Sequence, residues 1–283
     1  MTILVQFLLR LTFGLAAGMI IASPRQVTSG YFRNNLYVAL GLTTLAALVS
    51  YAAAPEEFWY AVGAAVASYV GSVCWLYEKR FVGAAALAIV AIASLIGTAE
   101  LLGAIDELKE QSVAWDNYFP ARGPNIMSAE VEEDIERARR MGYWNGALLV
   151  ISNISSGLLM GMTVAAMLLG HWYLNSPTME LAPLRRLLLA VGAAVVLQAA
   201  VSAVGLACEL NYAAELSTQT LLFILLRWSF GLIGVAALAW LAWQSLKIPN
   251  TQSATGILYV AVVGAIVGEL TGMLLSAESA FPL

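Results

Sequence analysis

Leu4-Val-Gln-Phe-Leu-Leu-Arg10-Leu-Thr-Phe13-Gly14-Leu15 and Leu221-Leu-Phe-Ile-Leu-Leu-Arg227-Trp-Ser-Phe230-Gly231-Leu232 are two copies of one pattern, identical at seven of twelve positions. Each is an apolar run interrupted by a single arginine. Such a run reads as a membrane-spanning helix. About 20 residues rising about 1.5 Å each cross the hydrocarbon, and a helix satisfies its own backbone where lipid offers it nothing.

Outward from these stretches the agreement continues. After a proline in each copy come Gln26-Val-Thr-Ser-Gly30 and Gln252-Ser-Ala-Thr-Gly256, then Leu36-Tyr37-Val38-Ala39 and Leu258-Tyr259-Val260-Ala261. A weaker echo sets Gly157-Leu158, Gly161-Met162 and Ser176-Pro177 over Gly14-Leu15, Gly18-Met19 and Ser23-Pro24. The repeating unit is a helical hairpin. Its copies begin with odd-numbered spans, so they share one membrane orientation, unlike the inverted repeats of many secondary transporters. An axis near the membrane normal is expected to relate the first hairpin to the last.

Eight apolar segments are long enough to span: 3–22, 36–54, 58–77, 81–103, 143–174, 187–208, 220–246 and 256–276. The chain of 283 residues is 60% hydrophobic and 11% charged, with a net charge of −4. Average usage is about 25% charged, so this composition excludes a soluble enzyme and a disordered chain. It also gives no reason to attract nucleic acid. The expectation is an all-α, polytopic integral membrane protein of about eight helices, one transmembrane domain over residues 1–283, with membrane lipids as its solvent. Arg10 and the absence of a basic stretch before Ile3 argue against a cleavable signal peptide.

The connections after spans one, three, five and seven carry Arg25, Arg33, Lys79, Arg80, Arg185, Arg186 and Lys247. The opposite side carries Lys109, Arg122, Arg137, Arg139 and Arg140, all in one connection. Retention of basic residues in the cytoplasm then places both termini outside, in a bacterial inner membrane. Cys74 and Cys208 fall near opposite membrane faces, too far apart for a disulfide.

The long connection, residues 104–142, holds nine acidic residues. Within it a short amphipathic surface helix is expected, capped by Ser128, with Val131, Ile135, Ala138 and Met141 as its apolar stripe. It reads either as a solvated helix resting on the bundle or as a docking face for another protein subunit. The acids lack the spacing and glycine of a calcium loop.

Charge inside the membrane is the most informative chemistry, because an unpaired ion there costs at least about 2.5–3.5 kcal/mol on insertion scales. Arg10, Arg227 and Glu269 each lie about 10 Å inside the outer end of their spans, and Glu100 is somewhat shallower. An intramembrane ionic cluster of Arg10, Arg227, Glu269 and Glu100 is expected, either as a latch between the repeat copies or as a proton or anion path.

At the opposite face, His171, Trp172 and Tyr173 end span five beside the two Gln-containing connections. His171 is the only histidine. Its neutral ring offers one donor and one acceptor, so it suits a quinone carbonyl, a proton relay or a metal. The plainer reading makes these residues packing groups and interfacial anchors. Gln26 and Gln252 complete the candidate ligand-binding set. Gly30 and Gly256 are expected to let the chain turn tightly back into the bilayer.

One histidine cannot supply a bis-His haem, and no Cys-x-x-Cys-His attaches one covalently. No zinc, nucleotide or triad motif occurs, and no nucleophile and base share one depth, which weighs against an intramembrane enzyme. Small-residue runs at Gly63, Gly157 to Gly161 and Gly192 are expected at close helix crossings.

Eight helices without haem ligands resemble, in fold alone, the integral quinol-reactive subunits of some respiratory complexes. The resemblance implies an electron-transfer-related membrane subunit with partner subunits and quinone as the candidate cofactor. The alternative is a small-solute or proton-coupled transporter using the charged cluster.

Overall fold

A computed structural model describes residues 2–53, 55–98, 129–176, 179–212, 217–248, 250–279 and 281–283. Among them there is no strand, and the chain forms eight successive helical passes. They are α1 (Thr2–Ile21), α2 (Ser29–Ala53), α3 (Pro55–Leu76), α4 (Arg80–Ile96), α5 (Ala129–Asn175), α6 (Ala182–Tyr212), α7 (Thr218–Ser245) and α8 (Thr251–Glu278). Seven are long and apolar enough to cross a membrane; α4 is shorter. The fold is therefore all-α and fits a polytopic integral membrane protein.

The exterior shows which solvent the bundle is made for. Phe81, Trp59, Val196 and Leu225 are largely exposed, a surface that water would drive to associate and hydrocarbon accommodates. Inside, α5 is the central element. It packs on α1, α6 and α8, while α2, α3 and α4 close the bundle beyond α1. Phe32 and Trp75 stack at 4.3 Å in the core between α2 and α3.

Glycines decide how closely the passes approach. A β-carbon on Gly14 would overlap the backbone of Gly157, and one on Gly161 would overlap that of Gly14, so α1 and α5 cross at backbone contact. Gly231 of α7 and Gly268 of α8 make the same kind of crossing. The matched glycines of the two repeat copies thus do one job with different partners: Gly14 packs on α5, Gly231 on the other helix of its own hairpin. Gly63 and Gly192, expected at such crossings, face open space.

Helix ends follow local chemistry. At Ser23 the backbone turns left-handed and Pro24 follows, which stops α1. Glu78 also takes a left-handed backbone just after α3. Ser217 caps α7 by accepting the Thr220 N–H, and Asn250 caps α8 by accepting that of Ser253. Gly30 and Gly256, expected in tight turns, lie within helices: Gly30 is the second residue of α2, and Gly256 lies in the second turn of α8. Gly30 makes room for the Trp172 indole, and Gly256 faces open space.

The surface helix expected in the long connection and the fifth span form one helix, with residues 129–142 helical and continuous with it. Residues 99–128 lie outside the described part of the chain, and with them Glu100, Ser128 and the end of the fourth expected span.

The face where α1 begins and α8 ends is the terminal face. The other, carrying Arg25, Lys79, Arg80, Arg185, Arg186 and Lys247, is the basic face.

Candidate functional site

Arg10 and Arg227 each sit four residues before a crossing glycine, so the crossings that hold α1 and α7 also set the depth of the two guanidiniums. Both line one cavity with Glu269, Ser152, Asn153 and Gly272. Arg10 and Arg227 are 4% exposed and Glu269 3%. The cavity measures about 10 Å³, room for about one water. Arg227 is close enough to experience both the attraction of Glu269 and the repulsion of Arg10.

α7 is not uniform here. Between two α-helical stretches, residues Arg227–Gly234 wind as a π-helix, a wider turn that concentrates at functional sites. The first-copy equivalent around Arg10 is ordinary α-helix. Arg227 Nη2 donates to Ser202 Oγ of α6 at 2.9 Å, and its guanidinium lies against Gly272, where any β-carbon would collide with it. Arg227 Nε and Asn153 Nδ2 are buried with no hydrogen-bond partner among the described residues. A bare buried donor costs about 1–3 kcal/mol, so the site is built for an acceptor oxygen.

The terminal end of this centre is covered by the chain itself. Glu209 Oε2 accepts the Phe281 N–H at 3.2 Å, and the Leu283 N–H donates to Ser276 Oγ at 3.1 Å. Pro282 lines the cavity and passes over Gly205, where a side chain would obstruct it.

Sequence reading missed this supporting shell. Ser152, Asn153, Ser155 and Ser156 are all buried on α5, and Ser155 donates to Gln198 Oε1 of α6. The signal was present: four polar residues within five positions of an apolar span mark a face turned from lipid.

At the basic face the expected ligand set divides. Gln26 donates to Glu180 Oε2 at 3.1 Å and accepts from Arg186. Trp172 Nε1 donates to Thr28 Oγ1 at 2.8 Å, and the Tyr173 hydroxyl donates to the Glu180 carbonyl. Gln26 ties the α1–α2 connection to the α5–α6 connection, Trp172 ties the end of α5 to the α1–α2 connection, and Tyr173 ties it to the connection that follows α5. His171 is different. It is exposed on the outside of the bundle, with Nδ1 3.3 Å from the Tyr259 hydroxyl and the two rings edge to face at 6.5 Å. Gln252 is exposed in the first turn of α8. Gln26 and Gln252 therefore stand in different surroundings despite their matched places in the repeat.

Cys74 and Cys208 are free thiols, in α3 near the basic face and α6 near the terminal face. No group of metal-ligating residues occurs among the described residues. Compared with known protein families, curated proteins and solved structures, the chain matches none of them.

Proposed function

We propose that this chain is an integral subunit of a bacterial membrane complex, a fixed eight-helix platform that contacts a quinone at its basic face and serves electron transfer. The observation that carries this reading is the His171–Tyr259 pair. Two hydrogen-bonding groups from α5 and α8 meet on the outside of the bundle, within about three turns of the helix ends, where a headgroup can arrive sideways from the bilayer. A quinone carbonyl accepts from a phenol or an imidazole N–H, and the imidazole can pass the proton on. Backbone-tight glycine crossings and the buried ionic centre support a platform rather than a moving carrier. The acidic run lies in a stretch of α5 that precedes its candidate span, which supports docking of a partner. In this reading the basic face is cytoplasmic and both termini are outside.

The test is purification from native membranes in mild detergent, followed by solvent extraction. A partner in fixed stoichiometry and bound quinone are expected, with quinone content falling in His171→Ala and Tyr259→Phe. A particle that migrates alone and yields no quinone overturns the reading.

One observation favours a second reading, proton-coupled transport: Glu269 is buried beside a water-sized cavity with unpartnered donors. Under it, Glu269→Gln in proteoliposomes abolishes solute uptake while the protein stays folded. Retained uptake eliminates it.

A further inference from the structure

A groove of about 820 Å³ runs between α6 and α7, within the range of about 300–1,000 Å³ typical of ligand pockets. Its lining is almost wholly apolar and includes Gly192, Val196 and Ala200 of α6 and Ala236, Trp240 and Trp243 of α7. Gly192 opens its floor, with nothing near the place of a β-carbon. On α6 the lining extends from Leu188 to Ala200, about 18 Å of helix. Half of a hydrocarbon core is about 15 Å, so the groove has the depth of a single leaflet.

One end of the groove is charged. Residues three, four or seven apart share a helix face, and the α6 lining continued one turn past Leu188 and Leu189 reaches Arg185. Lys247 lies in the turn that follows α7, next to Leu246 and four residues past Trp243. Arg185 Nη2 donates to the Leu246 carbonyl at 2.9 Å, which joins the two helices at this mouth. A guanidinium has five donors, so Arg185 keeps others free, and Lys247 is exposed. The neighbouring Arg186 and Glu180 are engaged with Gln26 on the side of the α1–α2 connection.

We propose that this groove is a binding site for an anionic phospholipid of the leaflet bordering the basic face. The acyl chains lie along Gly192, Val196 and Trp240, and the phosphate meets Arg185 and Lys247. The occupant follows from the two ends: an apolar trough one leaflet deep that opens at cations takes an amphiphile with one anionic end. Trp243 sits between them at the level where tryptophan favours the interface. The site is separate from the His171–Tyr259 pair and stands or falls without it.

Native mass spectrometry of the full chain, loaded with phosphatidylglycerol or with phosphatidylcholine of the same acyl chains, tests this. Phosphatidylglycerol should be retained about tenfold better or more. Lys247→Gln, at an exposed side chain, should reduce that preference, and Arg185→Gln with Lys247→Gln should abolish it. Gly192→Leu fills the trough and should lower retention of both lipids. Thermal melting of the lipid-free variants checks that each is folded. Equal retention of the two lipids, a preference unchanged in the double variant, or a dimer dissociated by Gly192→Leu overturns the proposal.

Discussion

The Arg227 guanidinium rests on the backbone of Gly272, three residues along α8 from Glu269. A cation from the second repeat copy thereby reaches the carboxylate's side of α8. Gly272→Ala places a methyl group where Nη1 lies and drives the arginine from its seat, leaving buried charge uncompensated. A stability loss of about 3 kcal/mol or more is expected, read as a lowered midpoint of unfolding in detergent. Gly256→Ala, in open space on the same helix, should be neutral or stabilise by up to about 1 kcal/mol.

Glu269 shares its cavity with two arginines, so its charge matters more than its shape. Glu269→Gln should destabilise the protein by about 3–5 kcal/mol, the usual effect of breaking a buried ionic group. Adding Arg227→Met removes the cation that Glu269 attracts and should recover part of that loss. Equilibrium unfolding of the single and double variants measures the coupling; strictly additive losses would show that Arg227 and Glu269 act independently.

The α1–α5 crossing has no space for a side chain. Gly161→Ala forces the helices apart and should cost about 1–3 kcal/mol, the range for overpacking. Gly63→Ala, although in a similar small-residue run, meets nothing and should leave the melting midpoint unchanged. A comparison of the two in one detergent distinguishes crossing glycines from exposed ones.

Trp172 joins the end of α5 to the α1–α2 connection through a single N–H. Trp172→Phe keeps an aromatic ring near Gly30 but loses the bond to Thr28, an expected loss of about 0.5–1.5 kcal/mol. The effect should be local. Amide exchange should quicken in residues 22–28, while the core of α5 stays protected. Uniformly faster exchange through α5 would contradict the assignment.

Three of the four residues expected in the ionic cluster, Arg10, Arg227 and Glu269, are buried around one cavity, and the fourth, Glu100, lies outside the described residues. Charged residues in apolar runs are rare enough that Arg10, Arg227 and Glu269 had to face inward, and counting rise per residue placed them at one depth. The partners were not legible. Ser202 and Asn153 come from helices whose rotation about their own axes is set by packing, and the cover formed by Phe281, Pro282 and Leu283 depends on Glu209, distant in sequence. At the basic face, matched spacing made Gln26 and Gln252 look equivalent. Their neighbours differ because α5–α6 lies beside only one of them.

Chain composition and periodicity by themselves determined that this is an all-helical bundle of about eight passes, since apolar length and unsatisfied backbone in hydrocarbon permit little else. Tertiary structure alone decided which glycines are crossings, that the turn at Arg227 widens to a π-helix, and that His171 faces outward while Trp172 and Tyr173 are bound inward. These outcomes depend on how helices rotate and slide against one another. That is settled by side-chain packing between segments far apart in the chain, which a linear pattern of residues does not encode locally.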